Sequence, residues 1–68
     1  MKKIKKIKIK LNGKIKLVNK NLSMQNLVNE FKIPIKKVAI ELNEEILNKK
    51  MLKKIRLKKN DKIEIVHF

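Results

Sequence analysis

Ile7, Ile9 and Leu11 alternate with Lys8 and Lys10, and beyond Asn12-Gly13 the alternation resumes as Ile15 and Leu17 against Lys14 and Lys16. Successive side chains of a strand point to opposite faces, so each run reads as a strand with one apolar and one charged face, and Asn-Gly between them reads as a hairpin turn. A hairpin with one apolar face needs an apolar cover, so these two runs constrain the fold more than any other feature. They also pose a question of register. A two-residue loop at Asn12-Gly13 pairs Leu11 with Lys14 and Ile9 with Lys16, placing lysines on the apolar face. A three-residue loop, with Gly13 in or near the left-handed position of a bulge, pairs odd residues with odd and keeps the apolar groups together. The bulged turn is therefore the expectation.

The cover comes next. After the polar connection Asn19 to Asn21, Ser23 is placed to cap a helix whose apolar positions Met24, Leu27, Val28 and Phe31 have the spacing of one helical face. About three turns are expected, ended by Pro34, which disfavours helical geometry at Ile33. Such a Met and Phe stripe reads as core and not as a ligand site. Val38, Ile40 and Leu42 alternate as a third strand, and Asn43-Glu44 turns the chain into a short apolar piece at Ile46 and Leu47. Lys49 to Lys54 carries Met51 and Leu52, enough for one helical turn under the sheet, with Ile55 and Leu57 extending that cover. Lys58 to Asp61 is a polar turn, and Ile63 and Ile65 alternate in a last strand reaching the C-terminus. The order is strand, strand, helix, strand, short crossing element, strand. It predicts an α+β β-grasp (ubiquitin-like) fold: a mixed sheet of four to five strands covered on one face by a single main helix, with the first and last strands parallel neighbours at its centre.

At 68 residues the chain is expected to be one β-grasp domain, residues 1–68, burying only about 60% of the surface its unfolded form exposes. It has no Cys, so neither disulfides nor a thiolate metal site can staple it. The formal charge of +14 raises nucleic acid or an anionic surface as a partner. Against nucleic acid, phosphate-forking Arg occurs only as Arg56 and base-stacking Tyr and Trp do not occur. Lys, Ile and Asn supply 38 of the 68 residues and share A- and T-rich codons, so genome bias accounts for the lysines without a nucleic-acid role. Met1 to Lys10 is basic, but its apolar residues alternate with Lys and form no continuous apolar run. Neither a signal peptide nor a membrane span is expected, and a cytoplasmic location, or an organelle stroma for an organelle gene, follows.

In this order and spacing the segments resemble the small sulfur carrier of thiamine biosynthesis. Ile9-Lys10-Leu11-Asn12-Gly13-Lys14 resembles that family's opening hairpin, and Val38 to Leu47 its strand, Asn-containing turn and short strand. Asn60 to Phe68 resembles its last turn and strand. The resemblance implies a C-terminal Gly-Gly whose carboxylate is adenylated with ATP by a ubiquitin-activating-type enzyme, converted to a thiocarboxylate, and used to give sulfur to thiazole synthase. Paired glycines suit this because an extended tail without side chains can thread a narrow active site. Here the attachment glycine is absent: the sequence ends at Phe68 and its only glycine is Gly13. The small subunit of molybdopterin synthase, which shares fold and tail chemistry, is the near alternative; a basic β-grasp nucleic-acid module is the distant one.

No enzyme is expected. His67 and Asp61 are the only residues of their types, so no triad or histidine metal cluster can be assembled, and no cofactor is implied. A lone His near a terminus reads as a surface residue of a strand. On the sheet face away from the helix, Ala39, Val66 and Phe68 share outward parity among lysines. With His67 they form the candidate partner-binding end, for the activating enzyme and thiazole synthase; an exposed patch with no partner is the competing reading.

Overall fold

The computed structural model describes residues 5–68; of the basic N-terminal stretch, Met1 to Ile4 lie outside them. Five strands, β1 (Lys6–Leu11), β2 (Lys14–Asn19), β3 (Val38–Leu42), β4 (Glu45–Ile46) and β5 (Lys62–His67), form one sheet in the order β2-β1-β5-β3-β4. β1 and β5 are parallel, with Lys10 beside Lys62 and Leu11 beside Ile63, while β3 pairs antiparallel with both β5 and β4. The helix α1 (Met24–Glu30) crosses one face, and a 3₁₀ stretch at Lys49–Lys54 packs beside it. This is the β-grasp architecture the strand and helix order predicts.

The core lies between sheet and helix: Ile9 and Val18 from the first hairpin, Met24, Leu27 and Val28 from α1, Val38 and Ile40 from β3, Leu52 and Leu57 from the crossing segment, and Ile63 from β5. Most of these side chains are fully buried, and at roughly 1.5–3 kcal/mol each they are the main stabilising term in a chain without cross-links.

The first hairpin departs from the expected register. Its loop has two residues, and Ile9 pairs with Lys16 and Leu11 with Lys14, the arrangement the parity argument rejects. Asn12 and Gly13 both have positive φ, 51° and 81°, as a type I′ turn requires. Lys14 and Lys16 would be buried by this register only if the whole length of β2 were covered. Instead β2 is an edge strand, and it contributes only Val18 to the core. Lys14 and Lys16 lie on the helix side in a recess with Phe31, Lys32 and Pro34, just past the C-terminal end of α1, where the helix's terminal carbonyls favour cations. Ile15 and Leu17 fall on the uncovered face, 58% and 65% exposed.

The helix is also shorter than its apolar spacing predicts. Ser23 caps it as expected, its Oγ accepting from the Asn26 N–H at 3.0 Å. At the other end Lys32 enters the left-handed region at φ 53°, with Lys32 N–H donating to Asn29 O and Ile33 N–H to Val28 O. That is a Schellman closure, and it stops the helix before Pro34 acts. Phe31 becomes the C-cap, 36% exposed, and is not a core residue. Met51, likewise read as cover for the sheet, is exposed, whereas Leu52 is buried as expected.

Candidate partner-binding face

Among the described residues one face of the sheet has no covering layer, and register determines what stands on it. β2 and β1 present Ile15 and Leu17 beside Lys10 and Lys8. β5 and β3 present Glu64 opposite Glu41 and Val66 opposite Ala39, and Ile46 of β4 follows Glu41 in the same row. The face is thus divided. Its β1 and β2 half is lysine around two exposed aliphatic side chains; its β3, β4 and β5 half is two neighbouring carboxylates bordered by Ala39, Val66 and Ile46.

Carboxylates directly opposite across a ladder repel. Lys62, on the same face, stands 3.7 Å from Glu64, and among the described residues this is the one ion pair. Both side chains are about half exposed, so the pair contributes well under about 1 kcal/mol. The acidic spot survives in a strongly basic protein because these positions must point outward while their neighbours Ile63, Ile65, Ile40 and Leu42 point towards the core.

The four sequence candidates do not form one patch. Ala39 and Val66 are a direct cross-strand pair, with Val66 48% exposed. His67 lies across from Val38, on the opposite side of β5 from Val66, and is exposed. Phe68 has Val66's parity, and its N–H donates to Lys37 O at 3.1 Å, extending the ladder by one rung. Its ring faces the Lys49 ammonium at 5.1 Å from the centroid, and that ammonium also donates to Ile35 O. Phe68 is 86% exposed, so this contact positions the ring weakly, at about 0.5 kcal/mol. Sequence reasoning missed Ile46, Ile15, Leu17 and the Glu41–Glu64 juxtaposition. The first three followed from reading every Ile and Leu as core; the last needs strand register, which no single segment carries.

The strand bearing this end is held from both flanks. Asn12 Oδ1 accepts from Ile65 N–H at 2.7 Å, and Asn43 Oδ1 accepts from Lys62 N–H at 2.9 Å. Asn43 Nδ2 donates to Asp61 Oδ1 at 3.0 Å, and Asp61 Oδ2 accepts from Lys58 N–H at 2.7 Å. Asp61 is only 8% exposed, and these bonds satisfy the buried carboxylate. Its work is to shape the turn into β5. Among the described residues no group of three or more His, Cys, Asp or Glu side chains could hold a metal, and no helix is long and apolar enough to cross a membrane.

A five-stranded mixed sheet with parallel central strands, one covering helix and an exposed C-terminal strand end defines a small ubiquitin-like β-grasp protein. Residues 5–68 match the ThiS family, and the chain belongs to that family, the β-grasp sulfur carriers of thiamine biosynthesis. It is similar to the crystal structure of the thiamine biosynthesis protein ThiS from Geobacter metallireducens, with a TM-score of 0.84 and 26% identity over 91% of this chain and 94% of that one. No curated protein matches it.

Proposed function

We propose that this protein is a cosubstrate and not a catalyst: a single β-grasp unit that carries sulfur as a C-terminal thiocarboxylate for thiazole formation in a cytosol-like compartment. The observation that carries this reading is the end of β5. Val66 and Phe68 are exposed there beside Ala39, on a strand fixed from both sides, so a tail continuing beyond Phe68 starts from a defined position and direction. The chemistry needs Gly-Gly in that tail. A carboxylate is a poor acyl donor until adenylation gives it a leaving group; sulfur then replaces the adenylate, and the resulting thiocarboxylate is a nucleophilic sulfur donor. None of these steps calls for an acid, base or metal from the carrier.

The partners that fit are an ATP-using adenylyltransferase of the ubiquitin-activating type and thiazole synthase. The surface that docks Ala39, Val66 and Ile46 should be apolar with a basic rim, complementary to Glu41 and Glu64. The test uses the chain extended with Gly-Gly. Incubation with the adenylyltransferase, ATP and a sulfur donor should exchange one oxygen for one sulfur by intact mass, and thiazole synthase with its substrates should then discharge the sulfur. Absence of the exchange overturns the carrier reading; discharge only to the large subunit of molybdopterin synthase replaces the thiazole assignment with the molybdopterin one.

A further inference from the structure

The end of the sheet far from Phe68 carries a concentration of charge that sulfur transfer does not use. Lys5 and Lys6 at the start of β1, Lys20 just after β2, and Lys58 and Lys59 before β5 surround one recess of about 400 Å³ floored by Leu57. No carboxylate lines it. The nearest along the chain, Asp61, is buried and occupied by Lys58 N–H and Asn43 Nδ2. Lysines are common throughout this protein, so the number alone decides nothing, although three other recesses among the described residues hold at most three each.

The backbone that bears these lysines is also tied together and cannot spread to relieve the repulsion. Lys20 N–H donates to Lys5 O at 2.8 Å, Leu57 N–H to Leu22 O at 2.8 Å, and Asn60 N–H to Lys8 O at 2.7 Å. These bonds tie together the three segments that carry the lysines. Arg56, whose guanidinium donates to Asn21 O at 3.4 Å, adds a cation next to Asn21 on the rim. Side-chain tips can move apart, but five like charges remain anchored around one opening.

We propose that this recess binds a run of adjacent phosphates, as in a free oligophosphate or the backbone of a nucleic acid. Closely spaced negative charges match several lysines at once, and lysine is suited to phosphate as a point charge without the planar geometry a carboxylate pair requires. A single sulfate or chloride can neutralise only part of the cluster. The site is about 30 Å from Phe68 by strand rise, since β5 runs parallel to β1 with Lys62 beside Lys10, so occupancy is compatible with partner docking at the other end.

Because the cluster is self-repelling in the folded chain, a ligand that neutralises it stabilises the fold. The full chain is titrated with inorganic tripolyphosphate and, separately, with a short oligouridylate, at constant ionic strength. The expected results are a saturable rise in thermal midpoint and NMR shifts concentrated at Lys5, Lys20, Lys58 and Lys59. The variant K20Q/K58Q/K59Q should bind about tenfold or more weakly, whereas K36Q/K50Q/K53Q, equal in net charge, should bind as the parent does. Binding of tripolyphosphate alone assigns a free oligophosphate; equal binding of oligouridylate assigns a nucleic-acid backbone. Equal losses in the two variants, or no saturation by either probe beyond matched salt, overturn the site. Sulfur loading of the Gly-Gly form should be unchanged in K20Q/K58Q/K59Q, which keeps this test separate from that of the carrier role.

Discussion

The hairpin of β1 and β2 and the hairpin of β3 and β4 approach β5 from opposite flanks with two-residue loops of one backbone type. Each has Asn in the first loop position, at φ 51° for Asn12 and 52° for Asn43, and in each the Asn carbonyl oxygen accepts from a β5 N–H. They differ in the second position. Gly13 takes φ 81° without side-chain strain, whereas Glu44 is held at φ 72°, a conformation that costs an L-residue with a Cβ about 1–2 kcal/mol. They differ too in what the Asn amide does: Asn43 donates onward to buried Asp61, and no such bond is formed by Asn12. The first hairpin has the locally favourable turn; the second tolerates a strained one because its Asn belongs to a network that fixes the start of β5.

Four substitutions can break or sharpen this comparison, each read by urea denaturation. Asn43→Ala should cost most, about 3 kcal/mol, since Ala tolerates positive φ less well than Asn, whose short polar side chain bonds locally, and the change also frees Lys62 N–H and leaves one oxygen of a buried carboxylate without a partner. Asn12→Ala lacks that last penalty and should cost about 2 kcal/mol. Equal losses would show that the Asp61 contact adds nothing. Gly13→Ala should cost about 1 kcal/mol through backbone strain alone, because an added Cβ would meet nothing within 4 Å. Glu44→Gly should stabilise by about 0.5 kcal/mol, the relief of strain exceeding glycine's entropy cost by a small margin. A loss at Glu44→Gly would mean that the two turns are not equivalent in backbone terms.

The order of elements and most of the core were legible because they depend on local periodicity: strand alternation, the Ser23 cap and the Leu27 and Val28 face of the helix all appear as read. Register was not. The parity of the Ile7 to Leu17 runs was correct residue by residue, but the inference that apolar groups must share a face required knowing that β2 is an edge strand mostly beyond the helix's reach. The Asn12-Gly13 pair itself favoured the two-residue turn, and local turn chemistry outweighed burial of Ile15 and Leu17. Asparagine carried more information than its codons suggest. Four of the six non-glycine residues at positive φ are Asn12, Asn21, Asn43 and Asn60, at positions where other L-residues are strained. The candidate site was half visible: the outward parity of Ala39 and Val66, and the opposite parity of His67, follow from strand alternation, while the Glu41–Glu64 juxtaposition depends on long-range pairing.

The central functional claim is that partners engage the open face at the end of β5. Titrating isotope-labelled chain with the adenylyltransferase and following backbone amide signals tests it without relying on catalysis. The account predicts the largest losses at Ala39, Val66 and Phe68, with Ile46 and Glu64 following. Changes confined to α1, or to Lys5, Lys20, Lys58 and Lys59 at the other end of the sheet, would contradict it.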